Sequence, residues 1–152
     1  MNVGATTDVL VVGAGLAGLF LALRLAPRRC TVLSPTVLGQ AAASAWAQGG
    51  LAAALDPADS PEQHAADTIA AGAGLVDPQV ALLIAREGPA AVAALANLGV
   101  PFDRTQTERF ALSLEAAHSQ ARVARVAGDL AGRAIMETLV TAVRRATHIQ
   151  VL

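Results

Sequence analysis

The segment Val11-Val12-Gly13-Ala14-Gly15-Leu16-Ala17-Gly18 limits the fold more than any other part of this chain. It holds a complete G-x-G-x-x-G directly after Asp8 to Val12, a short run of β-branched and apolar residues. Such a run reads as a strand buried on both faces of a parallel sheet. Gly13 permits the tight turn out of the strand, and Gly15 lets main chain approach a pyrophosphate with no Cβ in the way. Gly18 lets the following helix lie close on the strand. That helix is expected from about Gly15 to Ala26, where Pro27 stops it. Being apolar almost all round, it is expected to be buried. Cys30 to Leu33 reads as a second short strand. Strand, helix and strand together span under about 30 residues, the size of a βαβ crossover. A diphosphate would rest on the positive helix amino terminus, where free N–H groups face it.

The acidic residue that would hold the ribose hydroxyls of NAD is absent; Leu33-Ser34-Pro35 stands at the end of the second strand. A flavin site that grips the ribose by other groups is therefore favoured over a plain NAD site. Residues 34–50 are small and polar, a loop passing into a short Ala-rich helix. Ser60, Pro61 and Gln63 spell a capping-box start, with the helix ending around Gly72 or Gly74. Asp77-Pro78 repeats the start signal. Val80, Leu83 and Ile84 share one face, Gly88-Pro89 breaks and restarts the pattern, and Val92, Leu95 and Leu98 continue it to Gly99. Two short consecutive helices are expected there. Val100 to Ser113 looks irregular or partly extended. A last helix begins near Asp129, with Ile135, Leu139 and Val143 on one stripe and Arg144 and Arg145 at its carboxyl end. Ile149 to Leu152 begins a third strand. The fold class is α/β: part of a Rossmann-like, doubly wound parallel sheet with a helical insertion after the second strand.

Composition removes several function classes. Hydrophobic residues make up 54% of the 152 and charged residues 15%, yet no uncharged apolar run reaches the ~18 residues a bilayer demands. Net charge is −1 and aromatic residues are 3%, so neither a basic face nor stacking rings point to nucleic acid. The single Cys30 excludes an internal disulfide and a cysteine-only metal site. The start MNVGATTDV lacks the plan of a secretory signal, and a cytoplasmic location is expected. His64 and Asp67 read as residues of a helix surface, and with no third ligand nearby no metal site is expected.

Further motifs sharpen the reading. ASAWAQGGL (Ala43 to Leu51) is followed by Asp59-Ser60-Pro61-Glu62, His64, and Asp67-Thr68 with Ala71-Gly72-Ala73-Gly74-Leu75. Then come Glu87-Gly88-Pro89, Leu98-Gly99-Val100-Pro101-Phe102-Asp103, Glu115 to Ser119, and Gly132-Arg133. This ordered set resembles the L-aspartate oxidase family, within the succinate dehydrogenase/fumarate reductase flavoprotein superfamily. The resemblance covers essentially the whole chain. The glycine fingerprint is shared by many flavoproteins, whereas AQGG, DTxxAGAGL and LGVPFDR together are far more specific.

The resemblance implies an FAD cofactor, with Gly13, Ala14, Gly15, Leu16, Ala17 and Gly18 at its diphosphate and Ser34 also touching it. Ala43, Ser44, Ala45, Trp46, Ala47, Gln48, Gly49 and Gly50 would lie along the flavin side, where backbone and amide groups reach ring heteroatoms. Trp46 is equally readable as an ordinary core tryptophan. Ala43 stands where the dehydrogenase branch carries a histidine bonded to the flavin, so FAD is expected to be non-covalent. Glu115 and His118 are the implied catalytic residues, Glu115 facing a substrate ammonium group. The plainer alternatives are a solvated loop glutamate and a structural histidine. Arg133 would contact a phosphate or cap a neighbouring helix.

The family usually shows a lysine where Pro35 stands, and Arg-Glu-Gly-Gly-His-Ser where this chain has Leu114, Glu115, Ala116, Ala117, His118 and Ser119. The implied activity is oxidation of L-aspartate to iminoaspartate in quinolinate and NAD biosynthesis, with oxygen or fumarate as acceptor and quinolinate synthase as pathway partner. Residues 1–152 are expected to form the amino-terminal part of an FAD-binding domain, without its capping domain and carboxyl-terminal segments, and to show negligible turnover alone. Two alternatives stay open: a fumarate reductase or succinate dehydrogenase-type flavoprotein, against which Ala43 and Glu115 argue, and a non-catalytic nucleotide-binding fragment.

Overall fold

The computed structural model describes residues 7–40 and 42–152. Residues 1–6, read above as lacking a secretory signal, and Ala41 of the loop lie outside the described residues. In chain order the elements are β1 (Val9–Val12), α1 (Leu16–Arg24), β2 (Cys30–Leu33), a 3-10 turn (Ala43–Trp46), β3 (Leu51–Ala52) and α2 (Pro61–Ala71). There follow α3 (Pro78–Asn97), β4 (Leu112–Ser113), β5 (Val123–Ala124), α4 (Ala131–Arg145) and β6 (Ile149–Val151). The chain divides into two compact units, one running to Ala47 and resuming at Gly132–Leu152, the other comprising Gln48–Ala131.

The first unit is the expected βαβ layer. β1, β2 and β6 are parallel in the order β1-β2-β6, with Val9 opposite Cys30 and Cys30 opposite Ile149. The central strand is buried at Cys30, Thr31 and Val32. Ile135, Leu139 and Val143 of α4 are all buried, as the stripe in the sequence required. The edge strand departs from expectation. Val11 of β1 is buried, but Leu10 and Val12 are 56% and 78% exposed. α1 lies on the Val11 side only, so one face of β1 is open. An apolar run shows that a strand tolerates burial, not which face is covered. The same correction applies to α1, which buries Leu19 and Ala22 and leaves Leu21 half exposed.

The second unit is the insertion. Ser60 caps α2 by accepting from the Gln63 N–H at 3.1 Å. The reciprocal half of the box is replaced: the Ser60 N–H goes to Asp59 Oδ1 at 2.8 Å. Asp77 caps α3 through the N–H groups of Gln79 and Val80. Residues 78–97 form one helix rather than the expected two, with Pro89 inside it. The residue before a proline avoids the helical region because its Cβ meets the ring, and Gly88 has no Cβ. Apolar packing on both sides of the proline, at Ala81 and Ala85 and at Val92 and Leu95, then holds the helix together.

Val80, Leu83 and Ile84 do share a face, but it is the outer one, 50% to 65% exposed. The inner face is alanine: Ala81 and Ala85 pack with Ala65 of α2, and small side chains let two helices approach closely. By length and composition α3 is apolar enough to cross a bilayer, although Arg86 and Glu87 interrupt it at its middle. Arg86 reaches Glu62 of α2 at 2.9 Å. A small antiparallel sheet, β3-β5-β4, has no counterpart in the expectations from sequence; its strands have two residues each. Two residues are too few to show an alternating pattern.

Candidate functional site

In the first unit a cavity of about 370 Å³ opens over the start of α1, within the range of cofactor sites. Six of the sequence-predicted residues line it: Gly13, Ala14, Gly15, Ser34, Ala43 and Ser44. Gly13 turns out of β1 at φ +109°, a conformation that favours glycine, and its N–H extends the ladder to Leu33 O. Gly18 lies under the turn, where a Cβ would collide with the carbonyl oxygen of Gly13. The floor is therefore bare main chain. Gly15 is the cap residue of α1 and supplies no side chain; the Leu16 N–H donates instead to Ser44 Oγ at 3.3 Å. The other first-turn N–H groups have no partner within the helix, and the helix adds roughly half a positive charge at this end. Among the described residues no carboxylate lines the cavity. An anion such as a diphosphate suits it.

Ala45, Trp46, Ala47 and Arg133 fall elsewhere in this unit. Ala45 and Trp46 line a second cavity of about 380 Å³ with Leu38, Met136 and Val140. Trp46 is 79% exposed and takes no part in the core of this unit. The Ala47 carbonyl accepts from Gly132 N at the head of α4. Arg133 lines the same second cavity and pairs with Glu137 one turn along α4, at 2.9 Å. Leu16 and Ala17 supply the first turn of α1.

In the second unit, Gln48, Gly49 and Gly50 are exposed, and a Cβ on Gly49 would lie 3.9 Å from Glu115 Oε2. Glu115 and His118 belong to one tight turn, closed by the His118 N–H to the Glu115 carbonyl at 3.2 Å. Ala117 sits in that turn at φ +69°, the left-handed region, where the resembled family carries glycine. Ala117→Gly is therefore expected to stabilise the protein by about 0.5–1 kcal/mol, the left-handed strain relieved minus the added freedom of the unfolded chain. Thermal unfolding followed by circular dichroism should show a rise of about 2 °C; a fall would mean the turn is not strained.

Behind this turn lies a polar cluster that the sequence reading did not assemble. Arg122 is 0% exposed. Its Nε and Nη2 donate to Asp59 Oδ2 and Oδ1, each at 2.9 Å, and Nη1 donates to Asp67 Oδ2 at 2.6 Å. Asp67 also accepts from the N–H and the hydroxyl of Ser119, both at 2.8 Å. His64, expected on the surface, is 9% exposed, with its ring 5.6 Å from that of His118 and its Nδ1 without a partner. Asp67 is one turn along α2 from His64, so a helix face that carries the aspartate to Arg122 carries the histidine inward too. Arg122, Asp59 and Asp67 join residues 63 and 55 positions apart. The available signal was Arg122 beside Val123 and Ala124, in a stretch, Ala121 to Val126, that alternates apolar residues with Arg122 and Arg125. Among the described residues no group of three metal-ligating side chains occurs.

The cluster makes stability depend on pH. The Ser119 N–H and hydroxyl, then Arg122, hold the Asp67 carboxyl down at about 2. That contribution is present above the ordinary value of 3.8 and is lost as pH falls through about 2. Burial, then the charge of Arg122, lowers His64 below its ordinary 6.5, so the folded protein resists protonating it. Its contribution is full above 6.5 and declines below. Urea midpoints are expected to fall below pH 6.5 and again below pH 4. His64→Leu should remove the first decline and Asp67→Asn the second; an unaltered profile in both variants would refute the assignment.

Comparison with known proteins agrees with this geometry. The model of the FAD binding domain family matches residues 8–152. The L-aspartate oxidase of Caulobacter vibrioides is 60% identical over 145 residues, covering 93% of this chain and 28% of that protein. The L-aspartate oxidase of Mesorhizobium japonicum is 48% identical over 143 residues, covering 94% and 28%. E. coli quinol fumarate reductase superposes with a TM-score of 0.86 at 26% identity, covering 95% of this chain and 25% of that one. The chain thus spans little more than a quarter of the length of these relatives.

Proposed function

Because the chain belongs to the FAD binding domain family, we propose that it cradles the diphosphate of FAD between β1 and α1, in the service of L-aspartate oxidation. The observation that carries the reading is the acid-free cavity at the head of α1, floored by main chain from Gly13 to Gly15. Ser34, Ala43 and Ser44 line its rim, and Ala43 offers no nucleophile, so the cofactor is held non-covalently. FAD, when bound, supplies the hydride-accepting chemistry. The Glu115 carboxylate would pair with a substrate ammonium group, selecting an amino acid over succinate. Likeness to L-aspartate oxidases at 60% and 48% identity supports that substrate. Residues 1–152 would then be the amino-terminal part of an FAD-binding domain, in a cytoplasmic enzyme using oxygen or fumarate as acceptor and feeding quinolinate synthase.

Two measurements test this. FAD added to the 152-residue chain should bind with quenching of flavin fluorescence and without a covalent adduct surviving denaturation. The chain should produce no aspartate-dependent peroxide by itself. Exchanged for the matching segment of the Caulobacter vibrioides relative, it should support flavin reduction by aspartate and not by succinate. Reduction by succinate alone would refute the substrate assignment, and absence of FAD binding in both forms would refute the pocket.

A further inference from the structure

Outside the cavity at the head of α1, Arg122 and His118 meet in the second unit. Arg122 Nη1 lies 3.3 Å from His118 Nδ1. A guanidinium has five donors and no acceptor, and it keeps its protons throughout the working pH range. His118 Nδ1 must therefore accept, and a neutral imidazole that accepts at Nδ1 carries its proton on Nε2. We propose that Arg122 is a positioning residue that holds His118 in the Nε2–H form, so that His118 meets an amino-acid substrate as a hydrogen-bond donor rather than as a base. The proposal rests on the reading above that the turn from Glu115 to His118 faces substrate.

The surroundings support this assignment against one opposing effect. Asp59 and Asp67 stand beside Arg122 as two rival acceptors for a ring N–H. Both carboxylates, however, are already engaged by Arg122, and Asp67 also takes the N–H and hydroxyl of Ser119. A proton on Nδ1 would set N–H against N–H at 3.3 Å, at a guanidinium that is fully buried and cannot turn to water. His64, edge-on to the His118 ring, is held neutral by its burial and adds no charge. Glu115, in the same turn, provides an acceptor. A donor beside an acceptor complements the carboxylate and the ammonium of an α-amino acid.

The direct test is long-range proton–nitrogen NMR of the histidine rings in the 152-residue chain at pH 7.5, with no flavin or aspartate present. His118 should show a protonated Nε2 and a bare Nδ1. An Nδ1–H or imidazolium pattern would overturn the proposal and leave the aspartate reading untouched. Arg122→Met should let the second tautomer appear; a spectrum identical to that of the unaltered chain would deny Arg122 its part. Should that variant fail to fold, two others serve in the exchanged Caulobacter vibrioides enzyme. The amide of His118→Gln reaches the place of Nε2, while that of His118→Asn does not. Gln should retain aspartate kcat/KM within about tenfold and Asn should lose over a hundredfold, a factor of ten being 1.4 kcal/mol. Equal losses would overturn the donor assignment, and loss of all aspartate reduction in the unaltered exchange would instead strike the reading of the substrate.

Discussion

Gly18→Ala is expected to destabilise the chain by about 3 kcal/mol and to abolish FAD retention. The added Cβ would overlap the Gly13 carbonyl oxygen, lie 3.1 Å from the Gly13 carbonyl carbon and lie 3.3 Å from Val11 Cγ1. Two of these three are backbone atoms, which cannot swing aside, so α1 must lift from β1. For a chain of this length the unfolding temperature should fall by roughly 9 °C. Gly13→Ala should cost less, about 1–2 kcal/mol, because nothing lies within 4 Å of the added atom and only the +109° φ is strained. Gly15→Ala should barely alter stability, since its φ is −79° and the nearest atom is Ser44 Oγ at 3.5 Å. It should nonetheless weaken FAD binding, because its Cβ would enter the cavity. Equal destabilisation by all three substitutions would contradict this ranking.

Arg122→Ala should be of similar or greater effect. Breaking a buried ion pair by removing one partner costs about 3–5 kcal/mol, because the remaining charge stays buried without compensation. Here two carboxylates would lose the Arg122 charge, one of them on Asp59, whose side chain is 1% exposed. A fall of roughly 12 °C follows for a chain of this size. Arg122→Lys should not restore the loss, because one ammonium cannot span the fork of Asp59 and also reach Asp67. Combining Arg122→Ala with Asp59→Asn should cost less than the sum of the two, since the second change removes a charge that the first left unpaired. Strict additivity would show that the pair contributes nothing as a unit.

Local chemistry carried most of the legible fold. The glycine turn, the caps at Ser60 and Asp77 and the α4 stripe are each set within a few residues, and each was readable. The covered face of β1 was not, because Val11 and its neighbours are equally apolar and only a distant element decides which is buried. Pro89 was misleading for a related reason: the break it signals was overridden by packing of Ala85 and Val92 on either side. The cavity at the head of α1 is lined by six of the residues read as cofactor contacts, Ser34 and Ser44 among them. The Arg122 cluster was not legible, since nothing local in Asp59, Asp67 or Arg122 announces that three separated segments meet.

The outward stripe of α3 bears on how all these measurements are made. Val80, Leu83 and Ile84 present apolar surface to solvent in the folded chain. Fluorescent dyes of the anilinonaphthalene type light up on such surface, so a bright signal at neutral pH here would not report a molten state. Dye-based melting curves would start from a high baseline, and ammonium sulfate would salt the chain out early.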